Sequence, residues 1–344
     1  MKRCDLDRRA YLVRIARNRY KRRLRRKNPI RKNRAAQRQE RAKPLMLSAP
    51  VRFCLLTHAD RKILLRLLNR IREEVFVQHR SVTINFAGTV RMVADGTILF
   101  RSEICRIRAN LPQGVRLHCR PAHNVKVSQV LKQVGIYELL GYRGAVKPTF
   151  PDVVNWRVAQ GSAAEGEKYD EILGRYDGMV SDALRTGLYV GLTEAMTNTR
   201  QHAYLRQRED GLTCILASHG WWMFSQEKDR RLEVVFCDLG VGIPGTLPIR
   251  QPSLVARLKE LFGSPSDGQM IAEAVQYART RTGKVYRGKG LKQLLSVIEA
   301  VPGGRLLIYS NRGCFRIGPE GEQVFDFPDS VLGTIIAWSV PITP

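Results

Sequence analysis

The sequence predicts a mixed α/β chain in two parts: a small α/β domain with a partly parallel sheet over residues 46–142, and a second domain over 169–344. Three observations carry this. Helical and strand-like periodicities alternate between Ala59 and Val134. An apolar run with the character of a buried strand (Leu232, Val234, Val235, Phe236) ends in Asp238-Leu-Gly240-Val-Gly242-Ile-Pro244. A second glycine element, Gly288-Lys289-Gly290-Leu291, opens a helical stretch that runs to Ala300.

The elements follow in order. Residues 1–45 form a basic arm: residues 1–43 hold 19 Lys or Arg against three acids, net +16 of the chain's +27, with too few apolar residues for a core. From Ala59 to Gln78, Ile63, Leu64, Leu67, Leu68, Ile71 and Val75 recur at helical spacing. A strand over Val82–Phe86, a helix over Thr97–Arg108, a strand over Val115–Cys119 and a helix over Asn124–Val134 follow, with Asp95-Gly96 as a loop that caps the second helix. Residues 143–168 carry Gly144, Pro148, Pro151, Gly161 and Ser162 without periodicity and read as a linker. Trp221 to Phe224 read as strand core. Residues 245–287 read as a polar lid with helical stretches near Ser253–Leu261 and Met270–Arg279.

Glu194, Asn198 and His202 lie four residues apart, so one helix carries a carboxylate, an amide and an imidazole in a row along one face. Arg200 and Gln201 fall off that face and read as solvated. Bare N–H groups at a helix start beyond Gly288 make a phosphate site.

The order Glu194-x-x-x-Asn198, then Asp238-x-Gly240-x-Gly242-Ile-Pro244, then Gly288-x-Gly290-Leu291, closed by Gly333-Thr334, resembles the boxes of the GHKL (Bergerat-fold) ATPases. That superfamily holds histidine kinases, anti-sigma-factor kinases, gyrase and MutL. The resemblance covers roughly residues 169 to 341 and implies an α+β two-layer sandwich that binds ATP and Mg²⁺. It implies Glu194 as general base, Asn198 as the Mg²⁺ ligand, and His202 at the phosphates or in a structural role. It further implies Asp238 as acceptor for the adenine amino group, with Gly240 and Gly242 for close approach to the base. Gly288, Lys289, Gly290 and Leu291 would hold the phosphates, and Thr334 the adenine side. Residues 82–96 and 125–140 are similar to a STAS domain, the fold of anti-sigma-factor antagonists, except that Ala94-Asp95 stands where that family carries its phosphorylated serine pair. One fixed carboxylate imitates a phosphoserine only in part.

Composition bounds the function. No run of eighteen apolar residues exists to span a bilayer. Seven cysteines without a C-x-x-C pair indicate neither a zinc site nor a disulfide framework and fit a reducing cytoplasm. No phosphoacceptor-histidine helix precedes the ATPase motifs and no transducer domain follows them, which points away from two-component kinases and gyrase- or MutL-type machines. The expectation is a cytoplasmic regulatory ATP-binding protein that hydrolyses ATP slowly or phosphorylates a partner Ser/Thr. The alternative is a non-enzymatic, nucleotide-gated adaptor. The implied partners are a regulatory protein of STAS or sigma-factor type, a second copy in a homodimer, and nucleic acid held without sequence preference by residues 1–43. The same arm also reads as a solvated tail, or as sequence upstream of a start at Met46.

Overall fold

Trp221 to Phe224 and Leu232 to Cys237 are apolar at nearly every position because both faces of their sheet are covered. Trp221, Met223, Leu232, Val234 and Phe236 enter one core, whereas Trp222, Phe224, Val235 and Cys237 enter another. The computed structural model describes residues 44–163, 182–212, 219–280 and 289–342, and the chain from Leu45 onward is one compact unit. The basic arm over residues 1–43 lies outside the described residues. The protein is mixed α/β, with two small parallel sheets and one large antiparallel sheet.

The first half opens with β1 (Leu45–Ser48) and β2 (Arg52–Phe53), followed by α1 (His58–Arg72), which a π-type turn over Glu73–Val77 extends. Thr57 caps α1 by accepting the Asp60 N–H, with Asp60 in the first turn and Arg70 and Arg72 in the last, as the helix dipole favours. Then come β3 (Val82–Asn85), β4 (Arg91–Met92), α2 (Ala94–Ala109), β5 (Leu117–Arg120), α3 (Val125–Gln133) and α4 (Ile136–Leu139). Parallel β1, β3 and β5 lie side by side with Leu45 opposite Val82 and Val82 opposite Leu117, and β2 pairs parallel with β4.

This half departs from the sequence reading in two respects: β1, β2 and β4 are strands that the periodicity does not signal, β1 taking in Leu45 at the end of the arm, and the start of α2 differs. Asp95 and Gly96 are not a loop before the helix; they form the first turn of α2, and Asp95 is buried. A Cβ at Gly96 would sit 2.6 Å from the Phe53 carbonyl carbon, so the glycine lets the helix start press onto β2. The Asp95 carboxylate accepts the Leu55 N–H and lies 3.5 Å from the Tyr309 hydroxyl of the large sheet.

Residues 164–168 lie outside the described residues, and residues 143–163 are more ordered than a bare linker. They hold α5 (Pro151–Val154) and β6 (Arg157–Gly161), and β6 pairs antiparallel with β7 at the edge of the large sheet. That sheet runs β11-β10-β9-β12-β8-β7-β6, with β7 (Trp221–Lys228), β8 (Arg231–Asp238), β9 (Arg305–Ser310), β10 (Gly313–Gly318), β11 (Gly321–Asp326) and β12 (Thr334–Pro341). One face packs on α6 (Asp182–Asn198) and α10 (Lys289–Ala300), through Leu188, Leu192, Leu294 and Ile298. On the other face lies α2, whose Ile98, Phe100 and Ile104 share a core with Phe224, Val235 and Ile335. Three layers result: helices, sheet, and the module built from the first half.

Arg61 of α1 pins that module to the sheet. Fully buried, it donates to the carbonyls of Asn311 and Asp329 at 3.0 Å and stacks 4.2 Å above the Phe327 ring. Three helices gather near one end of the sheet: α7 (Gly242–Arg250), α8 (Pro252–Phe262) and α9 (Asp267–Thr280), of which α9 lies on β9, β10 and β11 and α8 packs on the other two. They form a small core of their own from Leu247, Leu254, Val255 and Leu258. Beyond the two helical stretches that the sequence predicts for the lid, α7 is an additional helix, tolerated although Pro248 sits inside it, and residues 281–287 of the lid lie outside the described residues.

Candidate functional site

The row of polar residues is presented by α6 and by the π-type turn over Thr199–Ala203 that continues it. Gly187 and Gly191 let α6 approach α10: a Cβ at either would lie 2.2 Å from Val297 or 3.0 Å from Leu294. The hydroxyls of Thr193, Thr197 and Thr199 bond back to the carbonyls of Tyr189, Thr193 and Ala195, so the helix absorbs them. Glu194, Asn198 and His202 all line one cavity of about 330 Å³. A wider π-type turn shifts the helical phase, which brings Gln201 to the same cavity although its spacing had placed it off the face.

Asp238 and Thr334 supply the floor. They sit opposite each other where β8 pairs with β12, flanked by Phe236 and Ile336. Asp238 is 8% exposed and accepts the Gly240 N–H at 2.9 Å. Burial pushes its carboxyl up to about 6, against the pull of the Gly240 N–H and of the Arg208 charge. The Thr334 hydroxyl lies 3.1 Å from the Ser310 hydroxyl, which also accepts the Ile243 N–H at 2.8 Å. Facing the helix row, α7 contributes Ile243, Thr246, Leu247 and Arg250, and α9 contributes Tyr277.

The two glycines after Asp238 do different work. Gly242 lines the cavity at φ +76°, and a Cβ there would meet Ser310 Oγ at 2.8 Å. Gly240 does not line this cavity. A Cβ there would sit 2.2 Å from the Ala203 carbonyl oxygen, so its missing side chain makes room for the π-type turn rather than for a ligand. Gly240→Ala is expected to destabilise the fold by about 1–3 kcal/mol, read as a lower urea midpoint. An unchanged midpoint would mean that the turn yields freely.

Gly288 lies outside the described residues. Of Lys289, Gly290 and Leu291 only the helical backbone is described: α10 begins at Lys289, and Leu294 of the same helix reaches the cavity wall. Tyr277, Arg250 and Thr246 were not singled out from the sequence. Nothing in their local pattern marks them, since only the folding of α7 and α9 over the helix row makes them neighbours of it.

A larger open cleft of about 900 Å³ lies across the Gly240–Gly245 segment. Several of its charges are already engaged: Asp326 accepts the Ser266 hydroxyl and the Gly268 N–H, Asp267 accepts the Arg312 N–H, and Arg208 is drawn into a buried ion cluster. The smaller, largely apolar cavity with a few convergent polar groups has the character of a small-molecule site. Among the described residues no cluster of three or more His, Cys, Asp or Glu could hold a metal by itself, and no helix is long and apolar enough to cross a membrane. No family model matches the chain, and no curated protein is significantly similar to it.

Proposed function

We propose that the chain is a regulatory adenine-nucleotide-binding protein whose 330 Å³ cavity is a GHKL-type ATP site, with a STAS-like module packed on the back of the ATPase sheet. The observation that carries this reading is the convergence on one cavity of Glu194, Asn198 and His202 from a helix with Asp238 and Thr334 from paired strands.

In this reading Asp238, bedded in an apolar floor, accepts the exocyclic amino group of adenine, a group that guanine replaces with a carbonyl. The phosphates extend toward Asn198 and the start of α10, where backbone N–H groups and the helix dipole favour an anion. Asn198 fits Mg²⁺ as a partial ligand: one neutral amide oxygen suits an ion that keeps waters and takes the rest of its shell from phosphate, which leaves the Glu194 carboxylate to act as base. When bound, Mg²⁺ supplies charge neutralisation at the phosphates. Glu194 orients and accepts a proton from the attacking water or hydroxyl. Helices α7 to α9 form the lid, and nucleotide binding alters what the lid presents to a protein partner.

A second reading, the non-enzymatic adaptor, is favoured by Asp95. The position similar to the STAS phosphoacceptor is a carboxylate buried against Tyr309, so no internal hydroxyl is offered for transfer there. Calorimetric titration of the full chain with Mg·ATP and Mg·GTP, followed by a phosphate-release assay, separates the readings. Micromolar ATP binding with a strong preference over GTP supports the site. Binding without turnover selects the adaptor, and no binding of either nucleotide rejects the site. The cytoplasmic setting and nonspecific nucleic-acid binding by residues 1–43 belong to the same proposal. Polyanion binding should fall steeply with salt and vanish when the arm is removed.

A further inference from the structure

Behind the cavity floor lies a buried cluster of five charges. Glu103 on α2 meets Arg72 of α1 at 2.8 Å, Arg106 at 3.5 Å and Arg208 at 2.5 Å, while Asp210 meets Arg106 at 2.5 Å. Every one of these side chains is at most 7% exposed. Arg208 differs from the others in what else it holds. Its Nε donates to the Leu332 carbonyl at 2.6 Å and its Nη2 reaches the Val331 carbonyl at 3.4 Å.

Leu332 sits at φ +54°, a left-handed conformation that a leucine adopts only when its surroundings enforce it. The enforcing groups are Arg208, on its carbonyl, and the Ser330 hydroxyl, which accepts its N–H at 3.0 Å. The next residue, Gly333, is pressed onto β8 so closely that a Cβ would lie 2.3 Å from the Asp238 carbonyl oxygen. Thr334 follows, opposite Asp238 in the cavity floor. One guanidinium thus fixes the turn that delivers Thr334 and backs Asp238, and its counter-charge comes from the first-half module.

We propose that Arg208 is a positioning residue for the base end of the cavity, and that Glu103 of the STAS-like module is the partner that holds it there, so that the module completes the site. This rests on reading the cavity as a nucleotide site. It makes the module an integral wall of the ATPase rather than a detachable substrate. Arg72 provides the internal control, since it is comparably buried and bonded to the same Glu103 oxygen, while its other guanidinium bond goes to Asn69 rather than to the Val331–Thr334 turn.

The test is calorimetric titration of the full chain with Mg·ATP and Mg·GTP, for wild type, Arg208→Gln, Arg208→Lys and Arg72→Gln, with melting temperatures measured alongside. Both glutamine variants should melt lower. Only Arg208→Gln should lose ATP affinity, by about tenfold or more, and narrow the preference for ATP over GTP. Arg72→Gln should keep both within about twofold. Arg208→Lys keeps the charge but cannot span two carbonyls and Glu103, so its affinity should fall between the two, and it decides the matter if Arg208→Gln does not fold. A folded Arg208 variant that binds as wild type does, or an equal loss in Arg72→Gln, overturns the assignment alone. Absence of ATP binding by the wild type overturns the nucleotide reading and the assignment with it.

Discussion

Glu194→Ala should lower ATP turnover by about 10²- to 10⁴-fold while leaving Mg·ATP affinity within a few-fold, because a general base contributes mainly in the transition state. Asn198→Ala should do the reverse in binding, weakening Mg·ATP by about ten- to a hundredfold through loss of a contact to a charged complex. The pair is informative because both residues lie on α6 one turn apart and line the same cavity. A nonspecific effect on the helix would move affinity and turnover together in both variants. Neither position is fully buried, so the alanines leave no large void in the core. Single-turnover phosphate release together with equilibrium titration separates the two effects. Equal losses of affinity in both variants would reduce Glu194 to a second ligand and favour the adaptor. Turnover undiminished in Glu194→Ala would remove it as base.

The elements that signal themselves are those whose pattern is local. The helix around Glu194, the strand ending at Asp238, the helix starting near Leu291 and the strand after Gly333 all carry their periodicity and punctuation within about a dozen residues, and each lies where the sequence places it. Doubly apolar runs at 221–224 and 232–237 announce a sheet covered on both faces, but no local pattern names what covers it. That the cover is α2, from more than a hundred residues upstream, is a long-range fact. Buried charge is equally hard to see. Arg61, Glu103 and Arg208 sit in segments whose composition resembles a solvated face, and only tertiary pairing distinguishes them. Asp95 misled for a related reason: Asp-Gly is turn chemistry, yet here the glycine makes room for Phe53 and the carboxylate turns inward. Gln201 is exposed, as its spacing implies, and it also reaches the cavity because a 3.6-residue wheel cannot anticipate one π-type turn. Of the glycines after Asp238, spacing says that flexibility or space is needed, not for whom. Gly240 serves the protein's own turn and Gly242 the cavity wall.

Acidification from about pH 7 to pH 5 should stabilise the free protein and weaken its hold on adenine at the same time. Asp95 and Asp238 are both raised to about 6, chiefly by burial. A carboxyl whose folded value lies above its ordinary 3.8 favours the folded state while protonated. That contribution is full below about 3.8 and is lost as pH rises through 6, so lowering the pH restores it, by on the order of 2–3 kcal/mol per group. Glu103 runs the other way. Burial would raise its carboxyl, but Arg208, Arg72 and Arg106 bring it down to about 2, so its contribution is present above 4.5 and lost as pH falls toward 2. Stability should therefore peak near pH 4 to 5, and urea midpoints from pH 7 to pH 3 would trace that dome. If Asp238 accepts the exocyclic amino group of adenine, affinity should track its ionisation, since the carboxylate is the stronger acceptor. Adenosine, which carries no titrating phosphate, should bind progressively more weakly as pH drops through 6. Asp238→Asn should flatten that profile and remove part of the stability gain, whereas Asp95→Asn should reduce only the stability gain. An adenosine affinity that does not change between pH 7 and pH 5 would dismiss Asp238 as the acceptor, whatever the stability does.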